Sequence, residues 1–391
     1  MTKLTPALEY HAQHKGKYGI TPLMPLDTRE DLSKAYTPGV AEACLAIKDN
    51  PKDVYTYTSK GHTIAVVSDG SAILGLGNIG PEAGIPVMEG KALLFKKFAG
   101  LDAVPLCINT QDSEEIIRFC ELIAPNYAGI NLEDISFPRC LYIESTLRQK
   151  LNIPVFHDDQ RGTAVCVSAA LLNALRYVKK DIKSVQITMS GMGAAGSAIA
   201  RMLHGLGAKP IKAFNKQGVI SYDNPALDPH VKVMIDQGIL ASSDYNPNDN
   251  TLASVVKDGD VFIGVSVGNC LNHDIVNTMA DQPIIFAMAN PTPELSPSEA
   301  KLSKAAIYAT GRSDLPNQIN NVLVFPGIFR GAIDAHATDI NEEMCYNAAY
   351  ALSGCIKEEE LSSTNIIPSV FDSRVVEVVS SAVYKTARKE Q

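Results

Sequence analysis

The chain has no cysteines in C-x-x-C spacing, no apolar run long enough to cross a bilayer and no excess of basic charge. Each absence removes a class of protein. The eight cysteines lie scattered at Cys44, Cys107, Cys120, Cys140, Cys166, Cys270, Cys345 and Cys355. They do not read as a zinc finger or a redox dithiol, and they suit free thiols in a reducing compartment. A membrane span needs roughly 18 consecutive apolar residues, and the opening MTKLTPALEYHAQHKGKYG lacks the apolar core of a signal peptide. A cytoplasmic location is therefore expected. The formal net charge of -8 argues against the basic face with which nucleic-acid binders displace phosphate counterions. Neither nucleic acid nor membrane is an expected partner. What remains is a chain of 391 residues, 46% hydrophobic and 20% charged, enough for two or three domains with a sizeable core.

Strand-length apolar runs recur between helix-period segments: TIAVVSD, AVPLCIN, YAGINLED and IPVFHDD, then SVQITMS, PIKAFN, DVFIGVS, PIIFAMAN, AAIYATG and NVLVFPG. That alternation predicts an α/β fold with parallel sheets covered by helices. Two such sets predict an N-terminal α/β domain over 1–162 and a Rossmann-type, doubly wound dinucleotide-binding domain over 163–391. The expected division falls at Gly162, where the helix TAVCVSAALLNALRYV begins. The segment beyond Gly331 reads as a helical tail.

Two segments match G-x-G-x-x-G. The first, Gly75 to Gly80, runs into Pro81 and the broken stretch EAGIPV, where no helix is expected to open. The second, Gly191-Met192-Gly193-Ala194-Ala195-Gly196, follows the strand SVQITMS and opens the small-residue helix SAIARMLHGLGA, with the strand PIKAFN beyond it. This is the β-turn-α-β setting in which the glycines allow the turn, the approach of a pyrophosphate and helix–strand packing. The next strand ends in Asn215-Lys216, where an acid usually binds the ribose 2′-hydroxyl. An amide and a lysine there favour NADP over NAD, since the repulsion of a 2′-phosphate is gone. The bland reading is a ribose-binding Asn215 beside a solvated Lys216.

Carboxylates cluster at two expected strand ends, Glu133-Asp134 and Asp158-Asp159. Ligands of open parallel sheets bind beyond the carboxyl ends of the strands, and oxygen-only donors select a hard cation such as Mg²⁺ or Mn²⁺. A structural reading stays open beside this one, with Asp159 capping the helix that starts near Thr163. In GKALLFKKFAGL, Lys91 shares the apolar stripe of Leu94, Phe95 and Phe98, while Lys96 and Lys97 fall off it. Burial, and a place in the first turn of a helix, would lower its pKa toward that of a general base. Equally, its stem could cover apolar surface while its head reaches water. Tyr36-Thr37-Pro38-Gly39 reads as a helix start, with Thr37 as N-cap and Pro38 at the first position. Tyr36 is then either a packing residue or a catalytic hydroxyl, its staple partner Ala41 being a poor match for a phenol.

These segments together resemble the malic enzymes, in the shorter form typical of bacteria and some protists, along nearly the whole chain. The resemblance is carried by AYTPGVAEAC, VSDGSAILGLGNIGPEAGIPVMEGKALLFKKFAG, INLEDI, FHDDQRGTA, GMGAAG, ANPTPE and TGRSDLPNQINNVLVFPGI. It implies oxidative decarboxylation of L-malate to pyruvate and CO₂ with reduction of NAD(P)⁺ and a need for Mg²⁺ or Mn²⁺. It implies Tyr36 as proton donor, Lys91 as general base, Asp158 as the acid that orients it, and Glu133, Asp134 and Asp159 as metal ligands. Asn290 and Asn321 match asparagines at the substrate and nicotinamide, and a homodimer is expected. The sequence departs from the family pattern at Ser71-Ala72, where longer forms carry an arginine two residues after Asp69-Gly70, and at Asn215. It departs also at Arg161, where relatives often have histidine and which could supply charge for the substrate's second carboxylate. An amino-acid dehydrogenase would share the two α/β domains and a lysine but would not need the four acids. A malolactic variant would use the same residues, and a non-catalytic dinucleotide sensor would have no use for them.

Overall fold

The computed structural model describes residues 5–390. It opens with an arm of helices: α1 (Pro6–His14), α2 (Arg29–Ala35), α3 (Val40–Asp49) and the single turn α4 (Val54–Tyr57). Thr5 and Thr28 cap α1 and α2 with their hydroxyls, and Asp31 returns the bond at α2 to complete a capping box. None of the residues in α1, α2 or α3 is buried.

The first sheet contains β1 (Thr63–Ser68), β2 (Asp102–Cys107), β3 (Gly129–Leu132) and β4 (Val155–His157) in the order β2-β1-β3-β4, all parallel. The crossovers are α5 (Pro81–Leu94), α6 (Ser113–Ile123) and α7 (Arg139–Lys150). β1 is buried along its whole length, as parallel strands covered on both faces must be. A π-helical turn over Asp158–Gly162 leads straight into α8 (Thr163–Val178), which carries the chain to the second sheet.

That sheet has the order β10-β9-β8-β5-β6-β7. Its strands are β5 (Ile187–Ser190), β6 (Lys212–Asn215), β7 (Gly218–Val219), β8 (Val261–Gly264), β9 (Ile284–Ala287) and β10 (Ile307–Thr310). All pairings are parallel except β6 with β7. Between them run α9 (Ala194–Gly205), α10 (Pro229–Asp236), α11 (Leu252–Val256), α12 (His273–Asn277) and α13 (Pro297–Leu302). The tail forms α14 (Phe325–Asp334), α15 (Glu342–Ser353) and α16 (Arg374–Glu390). α14 returns to the first sheet: Phe325 and Phe329 meet Phe95 with ring centroids 4.7 and 5.4 Å away, and Phe329 meets Phe156 at 6.0 Å.

Three local expectations are corrected. NVLVFPG is not a strand; it is a 3₁₀ turn (Asn321–Leu323) followed by α14, because Pro326 sits at the helix start and the apolar spacing continues as GIFRGAID. A helix does open after Gly80, since Pro81 is a good first residue and Pro86 is tolerated inside α5. Finally, α3 starts at Val40 behind Gly39, which makes no side-chain cap, so Thr37 and Pro38 form a turn and Tyr36 ends α2. All eight cysteines are free thiols. Among the described residues no helix is long and apolar enough to cross a membrane.

Candidate active site

β3 and β4 end side by side, so the residues that follow them emerge together at one rim of the first sheet. Glu133 and Asp134 continue β3; Asp158 and Asp159 continue β4. Lys91 reaches the same place from α5. Its Nζ donates to Asp158 Oδ2 at 2.7 Å and lies 2.8 Å from Glu133 Oε1. The ammonium also rests 4.2 Å from the centroid of the Phe325 ring, a cation–π contact with the returning tail. Lys91 is 7% exposed, and Asp158 is fully buried. The stripe expected on this helix is present, with Phe95 buried and Lys96 and Lys97 exposed.

The expected position of Lys91 along its helix is wrong, and so is the expected direction of its pKa. It stands in the last turn of α5, because the helix begins at Pro81, ten residues before it, and runs through Pro86. Burial alone would lower its pKa, but Asp158, Glu133 and Asp159 outweigh burial and hold the proton well above the usual lysine range. The acids are shifted upward as well. Burial raises Glu133, Asp158 and Asp159, with repulsion from neighbouring carboxylates adding to it at Glu133 and Asp158, while burial and then repulsion push Asp134 up to about 8.

Asp159 does not cap α8. Its Oδ2 accepts the backbone N–H of Asp134 at 2.8 Å, and Asp134 itself has a left-handed backbone, φ 53°. Asp134 Oδ2, Asp158 Oδ1, Asn131 Oδ1 and both His157 ring nitrogens are buried without a hydrogen-bond partner. Buried polar groups left in this state are costly, and the oxygen acceptors among them, together with the four carboxylates, suit a hard cation and an oxygen-rich ligand. The donor chemistry therefore fits a divalent metal. The side chains are not preassembled as a cage, however: among the described residues no three His, Cys, Asp or Glu groups converge tightly enough to hold an ion. Glu133 is committed to Lys91 through Oε1 and to Asn131 through Oε2.

Asn321 lies against the cluster, its Cβ 3.5 Å from the position a Cβ would take on Gly162. Asn290 is exposed, and its carbonyl packs on Gly75. Tyr36 is 67% exposed, and its hydroxyl makes no hydrogen bond among the described residues. The structure thus brings Lys91, Glu133, Asp134, Asp158 and Asp159 together, with Asn321 beside them, and shows no hydrogen bond that ties Tyr36 to them. Arg161 also turns away from the carboxylates: its Nη2 donates to the Ile340 carbonyl on the other side of the π-helical turn. It cannot grip a substrate held at the acids from there.

The second sheet reverses its strand order between β5 and β8, and a cleft of about 810 Å³ opens at that point, the expected place for a dinucleotide. Gly191, Met192 and Gly193 line it together with Asn215, Lys216, His230 and Ser266. Gly191 has φ 98°, and a Cβ on Gly196 would come within 2.0 Å of the Gly191 carbonyl, so α9 can approach the turn only with glycine there. Asn215 Oδ1 accepts the Gln217 N–H, and no acid ends β6. The other glycine-rich segment fails for a different reason from the one expected. It does join a strand to a helix, but through the long loop 69–80, whose Ala72 N–H donates to the Asp134 carbonyl; the loop serves the carboxylate site.

Two positioning groups were not legible in advance. Glu294, in ANPTPE, is fully buried and accepts the N–H groups of Ser266 and Ala289 at 2.8 and 2.9 Å, tying the loops after β8 and β9 together at the cleft. Asp69 is buried under Arg139, 2.7 Å away, and Ser71 Oγ links both to the Ser136 N–H. The acid pattern in these motifs was visible, but nothing in their spacing separates such struts from ligands.

A glycine-turn dinucleotide cleft, joined to a buried lysine–carboxylate cluster on a second parallel sheet, defines a two-domain NAD(P)-binding oxidoreductase. Comparison with known proteins narrows the class. The family models for the malic enzyme N-terminal domain and the malic enzyme NAD-binding domain match residues 15–118 and 160–388. The chain is 50% identical over 376 residues to an NAD-dependent malic enzyme of Geobacillus stearothermophilus, covering 95% of this chain and 77% of that one. It is 48% identical to a bifunctional malic/malolactic enzyme of Bacillus subtilis, covering 97% and 92%. The crystal structure of an NAD-dependent malic enzyme from Thermotoga maritima superposes with a TM-score of 0.91 at 43% identity, covering 97% of this chain and 99% of that one. The chain belongs to the malic enzyme family. Relatives named as NADP-dependent are also similar, among them one from Haemophilus influenzae at 44% identity, of which this chain spans 52%.

Proposed function

We propose that the protein oxidises L-malate and decarboxylates it to pyruvate and CO₂, in the cytoplasm, with Mg²⁺ or Mn²⁺ held by Glu133, Asp134 and Asp159, and with NADP⁺ preferred to NAD⁺. The observation that carries this reading is the buried contact of Lys91 with Asp158 and Glu133 at the rim where the unpartnered acceptors gather. When bound, the cation supplies Lewis acidity at the C2 hydroxyl, and the dinucleotide takes up a hydride. Lys91 removes the proton from the C2 hydroxyl; it can do so once cation charge offsets the field of the acids that otherwise holds its own proton. Asp158 fixes Nζ through its 2.7 Å bond. Asn321 and Asn290 contact substrate and nicotinamide from the edge of the cleft, and Tyr36 protonates C3 of the enolate left by CO₂.

Tyr36 is assigned to the site of a second copy. The arm carries exposed apolar side chains from Leu8 to Leu45, with Ile20 99% and Leu23 79% exposed. Exposed apolar side chains in that number, on these helices and the segment between α1 and α2, are what an interface leaves bare in a single chain. A homodimer covers them and brings Tyr36 of each chain to Lys91 of the other. The proposal includes the division of the two domains at Gly162. For cofactor choice, Lys216 lines the cleft next to Asn215, where it meets a 2′-phosphate.

Steady-state reduction of NADP⁺ and of NAD⁺ with malate, measured with Mn²⁺ and after EDTA, tests the reaction, the metal and the preference. Reduced dinucleotide in step with pyruvate is expected. Lactate without net reduction would make the malolactic reaction the correct one, and undiminished turnover in EDTA would remove the metal. Mixing the separately inactive Tyr36→Phe and Lys91→Ala chains tests the exchange: partial recovery of turnover is expected, and none would return Tyr36 to its own chain.

A further inference from the structure

Glu294 is a fully buried carboxylate that the reaction above does not use. It stands where the loops after β8 and β9 meet. Its Oε1 accepts the Ser266 N–H at 2.8 Å and its Oε2 the Ala289 N–H at 2.9 Å, and the Ser266 hydroxyl lies 3.5 Å from Oε1. These donors are dipoles, and none is a cation. Both oxygens accept, which suits the ionised form, since a proton on either would face a donor. Burial raises the pKa of Glu294, and the N–H groups of Ser266 and Ala289 act against burial. The fit is close. A Cβ on Gly264, the last residue of β8, would lie 2.4 Å from Glu294 Cδ, so glycine there lets the carboxylate cross the strand end. The Glu294 carbonyl accepts the Leu271 N–H at 2.9 Å, and Ser266 Oγ lies 2.8 Å from Ser190 Oγ, just ahead of the glycine turn.

The place of this charge relative to a dinucleotide follows from the sheet. The two halves of a doubly wound sheet take one mononucleotide each, on either side of the switch point. Asn215, at the end of β6, and Lys216 after it line the cleft on the adenosine side; the half beyond β8 and β9 is left to the nicotinamide. Ser266 lines the cleft there, with Glu294 one hydrogen bond behind it, and Ala289 directly precedes Asn290. The oxidised nicotinamide ring is a cation, and the reduced ring is neutral. We propose that Glu294 is the charge by which this cleft tells oxidised from reduced dinucleotide: its buried carboxylate holds the cationic ring and favours release of the reduced product. This rests on the dinucleotide reading of the cleft given above. In a site shielded from water, a unit charge one side chain behind the ring shifts the balance of the two forms by about tenfold, or about 30 mV for a two-electron couple.

The test measures binding, not turnover. The full chain, without malate and in EDTA, is titrated by calorimetry with the oxidised and the reduced form of whichever couple, NADP or NAD, binds more tightly. Glu294→Gln keeps the shape and removes the charge, so the ratio of the Kd of the oxidised form to that of the reduced form should rise about tenfold. Glu294→Asp keeps the charge and loses reach, so both affinities should weaken while the ratio stays near the wild-type value. A purely structural role would weaken both forms alike in Glu294→Gln, and an unchanged ratio there overturns the proposal. So does a ratio that rises by about tenfold in Glu294→Asp, which decides the matter alone if Glu294→Gln does not fold. A wild-type chain that binds neither couple overturns the proposal together with the dinucleotide site. A shifted ratio in a chain that does not oxidise malate upholds the role of Glu294 and counts against the proposed reaction instead.

Discussion

Gly162→Ala sets helix propensity against a single steric contact. Gly162 has ordinary right-handed helical geometry, φ -62° and ψ -44°, so replacing it with alanine should stabilise the helix by about 0.5–1 kcal/mol if nothing else mattered. The added Cβ would, however, lie 1.8 Å from Asp158 Oδ1 and 2.9 Å from its Cγ. That is about 1.5 Å short of an ordinary C···O contact. The carboxylate must move by about that amount, and its other oxygen then leaves Lys91, 2.7 Å away. Overpacking of this kind costs about 1–3 kcal/mol, and breaking one side of a buried ion pair costs about 3–5 kcal/mol. Both exceed the gain in propensity, so the variant should melt lower. A displacement of the reacting geometry by about 1 Å also lowers turnover by about 100-fold, and dinucleotide affinity should stay unchanged. Thermal unfolding and steady-state kinetics measure the two effects. A variant that is more stable and turns over normally would show that Asp158 neither fills the Gly162 site nor positions Lys91.

Three further changes probe other parts of the molecule. Lys91→Ala should reduce malate oxidation by about 100-fold to 10,000-fold and leave binding of the reduced dinucleotide, followed by its fluorescence, intact; retained turnover would move the base elsewhere. Phe329→Ala, which empties the ring packed on Phe95 and Phe156, should cost about 3–5 kcal/mol in urea unfolding; a loss below about 1 kcal/mol would mean that this packing is not needed. Lys216→Ala should raise the KM for NADP⁺ by about tenfold or more, the loss of a charge-assisted bond worth about 1.5–3 kcal/mol, and leave that for NAD⁺ alone; equal losses would remove its role at the 2′-phosphate.

β1, β5 and β8 were legible because each is a short apolar run with β-branched residues, buried along its whole length, and each falls inside the run read for it. β7 was not, since two residues pairing antiparallel leave no period to detect. The acids were found from strand ends, which place ligands beyond the sheet whatever the rest of the sequence does. The field on Lys91 was misjudged because it depends on which side chains come together across the fold: Asp158 lies 67 residues away in sequence. Prolines misled in both directions. Pro81 begins a helix that Pro86 suggested was broken, and Pro326 begins one inside an apparent strand. Arg161, read as a possible substrate contact, is separated from the acids only by the direction in which its side chain leaves the π-helical turn, and spacing says nothing about that.

The return of α14 to the first sheet limits how far the two halves can be treated as modules. Its phenylalanines belong to the NAD-binding half by sequence and to the N-terminal half by packing, and one hydrophobic core runs from Ile64 and Phe95 through Phe325 to Met189 and Ile263. A cut at Gly162 would leave Phe325 and Phe329 bare on one fragment and open the floor under Lys91 on the other. The two halves should therefore unfold in one transition, and grafting the NAD-binding half of a relative onto this chain would succeed only if α14 stayed with the N-terminal half.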